Sequence, residues 1–184
     1  MDEVQKLKTG TTTVGIVCKD GVILAAEKKS TMGYLIASKE SEKIFELEDN
    51  IGLTIAGAAG DAQALVRYMR AELKLFKIQN QRVLTVRGAA TLLSNILQNG
   101  RWSFVPYMVQ LILGGVDRKG PVIYSMDALG AYDEERRFFS TGSGSPYALG
   151  VLEDSYKSGI LTEDGAKLAV RAIKAAIERD IGSG

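Results

Sequence analysis

A chain of 184 residues is long enough to bury a core without disulfide or metal staples, and is most simply one domain. A formal net charge of +1 leaves no electrostatic footprint for nucleic acid or an anionic membrane, and a single cysteine, Cys18, excludes an internal disulfide and suits a reducing cytoplasm. Histidine is absent altogether, which removes Ser-His-Asp and Cys-His catalysis and every His-dependent zinc motif.

In chain order, residues 1–10 are polar and charged and lack the apolar centre of an export signal, so they read as a propeptide or tail before a domain covering 11–184. The alternation from Thr12 to Cys18 and the apolar run Val22 to Ala26 flank Lys19-Asp20-Gly21, a hairpin signal. A two-residue loop sets Val14 opposite Glu27. A three-residue loop with Gly21 in a bulge sets Thr13 opposite Glu27, and is favoured because it brings a carboxylate to the face of the threonine run. Short strands are expected at Lys43 to Leu47 and Ile51 to Ile55, around a Glu48-Asp49-Asn50 turn.

A long helix from about Asp61 to Gln79 repeats Leu65, Tyr68, Met69, Leu73 and Phe76 at core spacing, and a second runs from Val86 to Gln98 with Ala90, Leu93, Ile96 and Leu97 inward. Tyr107 to Gly114 and Val122 to Met126 read as buried strands joined by a turn from Asp117 to Pro121. The longest apolar run, Met108 to Val116, is too short to cross a membrane and contains Gln110 and two glycines. Asp133 to Arg137 reads as a charged, solvated hairpin. A helix starts near Ser145 with Pro146 at its first position, and a last one, Thr162 to about Asp180, buries Leu168, Ala172, Ile173, Ala176 and Ile177. Strands, two helices, strands, two helices, without βαβ alternation, describe an α+β sandwich of antiparallel sheets covered by helices.

Taken singly, the candidate residues are unremarked. Thr11-Thr12-Thr13 is a β-branched strand start, Lys43 closes a charged surface run, Gly57 suits a turn, and Ser143, Asp180 and Ser183 suit caps and loops. Gly142-Ser143-Gly144 lacks the Gly-Lys-Ser/Thr ending of a phosphate loop, and Cys18 is a small hydrophobe with no histidine to activate it. Together and in order they are specific. Lys8-Thr9-Gly10-Thr11, Glu27 in Ala-Ala-Glu-Lys-Lys, Lys43 after Ser41-Glu42, and Thr54-Ile-Ala-Gly57-Ala-Ala-Gly-Asp61-Ala-Gln63 all match one pattern. So do Arg67-Tyr68-Met69, Pro106 to Gln110, Ser140-Thr-Gly-Ser143-Gly-Ser and Arg179-Asp180 with Ser183. From Thr9 onward the chain resembles a proteasome β-type subunit of archaeal type.

The resemblance implies a four-layer αββα sandwich, the N-terminal-nucleophile hydrolase fold, and a threonine endopeptidase with no cofactor or metal. It implies that the protein cuts its own Gly10–Thr11 bond, so that residues 1–10 mark a precursor. Thr11 then supplies the hydroxyl nucleophile and, as base, an α-amino group whose ordinary pKa is about 7.7 to 8.0. Lys43 is implied as the neighbouring cation, held by Glu27, and Gly57 as the backbone oxyanion donor. Ser143, Asp180 and Ser183 are implied as supports around the Thr11 amine. An extended substrate would pair with backbone near Thr31, Gly57 and Ala59, and its side chain would enter a pocket of Ser30, Ser41, Ile55, Ala59 and Gln63. No charged residue stands among those five, so a chymotrypsin-like preference for apolar residues is expected.

The implied partners are α subunits and other β subunits in stacked seven-membered rings, an ATPase regulator acting through the α ring, and unfolded polypeptide as substrate, in the cytoplasm, with neither nucleic acid nor membrane. The alternatives are a non-catalytic structural subunit of the same ring and the bacterial two-ring relative. Family members continue past Gly182-Ser183-Gly184 with further strand residues, so the C-terminal strand region is expected either to be absent from the protein or to lie beyond Gly184, and either case leaves a sheet edge or the Asp180 to Ser183 wall of the site less secure.

Overall fold

The computed structural model describes residues 10–33, 35–101 and 107–184, so residues 1–9 of the expected propeptide and Pro106 lie outside the described residues. Three antiparallel strands form the first sheet: β1 (Thr13–Val17), β2 (Val22–Ala26) and β10 (Phe138–Thr141), in the order β10-β1-β2. A second sheet runs in the order β5-β6-β7-β8-β9, from β5 (Ile44–Glu48), β6 (Ile51–Gly57), β7 (Val109–Asp117), β8 (Gly120–Met126) and β9 (Tyr132–Glu135). β3 (Ser30–Met32) and β4 (Leu35–Ser38) pair as a separate hairpin that the sequence reading omits.

Helices α1 (Ala59–Asn80) and α2 (Val86–Arg101) cover the five-stranded sheet, and α3 (Ser145–Ser155) and α4 (Thr162–Ile177) cover the three-stranded one. The sheets face each other, giving the αββα sandwich. Each helix layer has its own core. Leu53, Leu65, Met69, Leu93, Leu97, Leu111 and Leu113 fill one, and Val14, Ile16, Phe138, Ala148, Leu152, Leu168 and Ala172 fill the other. Burying each large aliphatic side chain contributes roughly 1.5 to 3 kcal/mol. Between the sheets, glycine makes room for branched neighbours: a Cβ on Gly15 would lie 2.8 Å from Ile112, and one on Gly114 would lie 3.0 Å from Ile123. Among the described residues no helix is long and apolar enough to cross a membrane.

Several expectations are corrected here. β1 and β2 pair with Val17 opposite Val22 and Thr13 opposite Ala26, and the Cys18 N–H donates to the Gly21 carbonyl, so Lys19-Asp20 alone is the loop. This register carries Glu27 opposite Thr12, neither Thr13 nor Val14; the Glu27 N–H donates to the Thr12 carbonyl at 3.3 Å. Asp20 is engaged elsewhere, accepting the Thr162 N–H at 2.8 Å and its hydroxyl at 2.9 Å, which caps α4 from the hairpin. The Thr162 N–H bond, the largest cause, holds the Asp20 carboxyl below the usual carboxylate range.

The charged run at Asp133 to Arg137 is no hairpin, because β9 belongs to the five-stranded sheet and β10 to the three-stranded one. Arg136 and Arg137 are where the chain crosses between layers, and Arg137 lies over the rings of Phe138 and Tyr156. Tyr68 is 56% exposed, Phe76 is only half-buried, and Ile177 is 39% exposed. Val66 and Ala62 occupy the inward arc that the periodicity assigned to Tyr68.

Candidate active site

Thr11 lies just ahead of β1, buried, on a cleft of about 1150 Å³. Its neighbours arrive from both sheets and from the loop after α4. Glu27 follows the end of β2, Lys43 precedes β5, Ser143 follows β10, and Asp180 and Ser183 follow α4. The two antiparallel pairings of β1, with β2 and with β10, therefore bring residues distant in sequence to one end of the sandwich.

The Lys43 ammonium is central. It donates to the Thr11 hydroxyl at 3.0 Å, to the Lys29 carbonyl at 2.6 Å, and to Glu27 Oε1. Three acceptors for three N–H bonds is the complement of a charged ammonium. Burial is the largest influence on Lys43 and lowers its pKa from the ordinary lysine value, while Glu27 opposes the shift by hydrogen bond and charge. Glu27 is itself buried and receives N–H donors as well: Thr12 at 3.2 Å on Oε1, and Lys29 at 2.6 Å and Gly184 at 3.1 Å on Oε2. A buried ion pair is sustained only when its remaining hydrogen-bonding capacity is met, as it is here.

Around the Thr11 backbone, its N–H donates to Ser143 Oγ at 3.2 Å, and Ser143 donates to Asp180 Oδ2 at 2.7 Å. Ser183 also donates to Asp180 Oδ2, at 2.6 Å, and shares a 2.7 Å hydrogen bond with the hydroxyl of Thr12. Asp180 thus touches both serines and neither threonine. The Thr11 hydroxyl donates to the Gly10 carbonyl at 2.6 Å, so the Gly10–Thr11 peptide and the hydroxyl beside it are in contact.

Gly57 lines the same cleft at the end of β6. Its φ is 138°, and a Cβ there would lie 2.0 Å from the Met108 carbonyl oxygen, so both conformation and close backbone approach call for glycine. Ser30, Thr31, Ser41, Ile55 and Ala59 also line the cleft. Gln63 does not. It is exposed on α1, and the positions of that helix that face the cleft are Ala59 and Ala62, three residues apart on one side. The cleft also has charged residues beyond those anticipated: Glu42, exposed at its rim, and the half-buried Lys29. Thr12, Lys29 and Gly184 complete the surroundings. Of these, Thr12 was within reach of sequence reasoning, since the register that sets it opposite Glu27 differs by one residue from the one chosen.

The family model for the proteasome subunit matches residues 7–184. The chain belongs to the proteasome subunit family. It is 54% identical over 184 residues to the proteasome subunit beta of Methanohalophilus mahii, covering 100% of this chain and 86% of that protein. The corresponding proteins of Methanococcoides burtonii and Archaeoglobus profundus are also 54% identical, with 100% of this chain covered and 86% and 85% of theirs. As a proteasome β subunit it is a threonine-type peptidase that assembles with other proteasome subunits in rings. The αββα sandwich is the fold of that family.

Proposed function

We propose that Thr11 is the nucleophile both for removal of residues 1–10 and for the hydrolysis of polypeptides. The observation that carries this reading is the position of the buried Thr11 hydroxyl, which accepts from Lys43 and donates to the carbonyl of Gly10. In the first reaction Thr11 Oγ bonds to the Gly10 carbonyl carbon. The C–N bond breaks, the hydroxyl proton passes to the Thr11 nitrogen, and an ester with a free amine remains. Water then cleaves the ester, releasing residues 1–10 as a carboxylate and freeing the hydroxyl.

In turnover, the new amine takes the Thr11 hydroxyl proton as Oγ attacks a substrate carbonyl, and delivers it to the leaving nitrogen; water then hydrolyses the acyl ester. Lys43 favours the negative charge that develops on Oγ, and Glu27 holds Lys43 in place. Gly57 N–H donates a hydrogen bond to the oxyanion. Ser143, Asp180 and Ser183 fix the amine and the chain beside it. Partners consistent with this reading are α subunits in seven-membered stacked rings, an ATPase regulator acting through them, and unfolded polypeptide in the cytoplasm. The intact mass of the chain after co-assembly with its α subunits tests it: loss of residues 1–10, leaving Thr11 first, is the expected result, and a precursor mass in active particles overturns it.

Selectivity follows from the cleft. Ile55, Ala59 and Ala62 give it an apolar wall, whereas Glu42 stands exposed at the rim, where an ion pair with substrate contributes at most about 1 kcal/mol. Burying an apolar side chain gains roughly 1.5 to 3 kcal/mol. Processed particles should therefore cut after Leu, Phe or Tyr about tenfold faster, in kcat/KM, than after Arg or Glu. A matched peptide series measures this, and equal or faster cleavage after Arg contradicts it.

A further inference from the structure

The backbone of Gly10 lies directly on that of Gly182. A Cβ on Gly10 would meet Gly182 Cα at 1.9 Å and its carbonyl carbon at 2.5 Å, and a Cβ on Gly182 would meet Gly10 Cα at 2.2 Å and its carbonyl carbon at 3.2 Å. Gly182 has no positive φ, so at that position close approach, not backbone conformation, excludes a side chain. Backbone-to-backbone contact of this kind cannot be relieved by turning a flexible side chain aside.

Gly182 sits between Asp180 and Ser183, the two residues that connect the loop after α4 to Ser143 and Thr12. Apart from Gly10, the nearest atom to a Cβ on Gly182 is Ser143 Oγ at 3.1 Å, the end of a side chain that can give by a few tenths of an ångström. The severe contact thus exists only while Gly10 is attached.

We propose that Gly182 is a positioning residue for self-cleavage, one that seats the Gly10 carbonyl against the Thr11 hydroxyl and has little part in later turnover. This rests on the reading of Thr11 as the self-cleaving nucleophile. A side chain at 182 pushes Gly10 off its seat and moves the carbonyl carbon relative to Thr11 Oγ, and a misplacement on the order of 1 Å can cost about 100-fold in rate. After residues 1–10 are gone, the nearest atom to the same side chain is Ser143 Oγ at 3.1 Å, a contact that a shift of a few tenths of an ångström relieves.

The test uses particles co-assembled with α subunits, in two forms: the full chain, and a chain whose coding sequence starts at Thr11 after an initiator Met that is removed. Gly182→Ala in the full chain should slow loss of residues 1–10, followed by intact mass, by about tenfold or more. In the chain starting at Thr11 it should leave kcat/KM for an apolar peptide within about threefold of the matched parent, and this form also reports that the variant folds and assembles. Gly10→Ala should slow processing likewise yet yield a mature product identical to the parent's. Because both changes break one contact, the double variant should process no more slowly than the slower single one.

Parental processing by the full-length Gly182→Ala chain overturns the proposal. So does loss of activity in the Gly182→Ala chain that starts at Thr11, because the residue then serves the mature site as well. A Thr11→Ala control keeps the two readings apart: if that variant loses residues 1–10, the assignment of the nucleophile fails, whatever Gly182 does.

Discussion

Thr11→Ala should give assembled particles that retain residues 1–10 and hydrolyse peptides about 10⁴-fold more slowly or worse, the scale of loss when a covalent nucleophile is removed. Two reactions vanish together because both draw on one hydroxyl, 2.6 Å from the Gly10 carbonyl and 3.0 Å from Lys43. The change also leaves one Lys43 N–H without its acceptor, at a cost of about 1 to 3 kcal/mol in stability. That cost is well below what unfolds a packed four-layer sandwich, so assembly should persist. Thr11→Ser keeps the hydroxyl and should process. Intact mass and peptide turnover on the same particles read both effects, and complete processing in Thr11→Ala would sink the assignment.

Lys43→Ala should lower kcat by about 10³-fold or more, since it removes a donor aimed at the Thr11 oxygen and, among the described residues, the one cation in direct contact with it. It also strands the Glu27 carboxylate, buried and without its cationic partner, which in comparable settings costs about 3 to 5 kcal/mol. The pH dependence separates charge from mere support. Burial lowers the Lys43 pKa, so the cation is lost as pH rises through a value below that of an exposed lysine, and kcat/KM should fall on the alkaline side there. Stability carries the opposite sign. The folded form binds the Lys43 proton less tightly than the unfolded form, so this group's penalty is fully present below the folded pKa and is relieved between the folded and unfolded values. Glu27→Gln removes a charge that raises the Lys43 pKa, and should shift the alkaline limb to lower pH and reduce kcat about tenfold. An alkaline limb that stays put in Glu27→Gln argues that Glu27 acts on something other than the Lys43 charge.

Much of this arrangement is legible in the residues because it rests on periodicity. The arcs Leu65, Met69, Leu73 and Ala90, Leu93, Leu97 repeat at helical spacing and are buried, and the antiparallel layering follows from the order of elements. What escapes depends on register and on which surface a residue meets. A shift of one pair in the β1–β2 hairpin changes Glu27 from the partner of Thr13 to that of Thr12, and no local pattern distinguishes the two while Lys19, Asp20 and Gly21 all suit a turn. Likewise Asp133 to Glu135 alternates like half of a hairpin, yet its partner is β8, because β10 completes the other sheet. Gln63 fails by one helical position: Ala62 takes the arc toward the cleft and leaves it in solvent. Gly182 carries no signal at all in sequence, since only the approach of Gly10, far away along the chain, gives it meaning.

The pairing of Thr13 with Thr141, and of Thr12 with Ser183, also sets a schedule for the chain as it emerges from the ribosome. The residues proposed to attack appear early, whereas Ser143, which holds the Thr11 N–H, lies 132 residues further along, and Ser183, which holds the Thr12 hydroxyl, lies 171 residues beyond Thr12. Closing such long loops costs only slightly more entropy than closing shorter ones, but it must wait for the far end to exist. The fold thereby acts as a timer. A nascent chain cut short before Ser143 carries the nucleophile without the serine that holds its backbone N–H, and one cut between Ser143 and Ser183 still lacks the partner of the Thr12 hydroxyl.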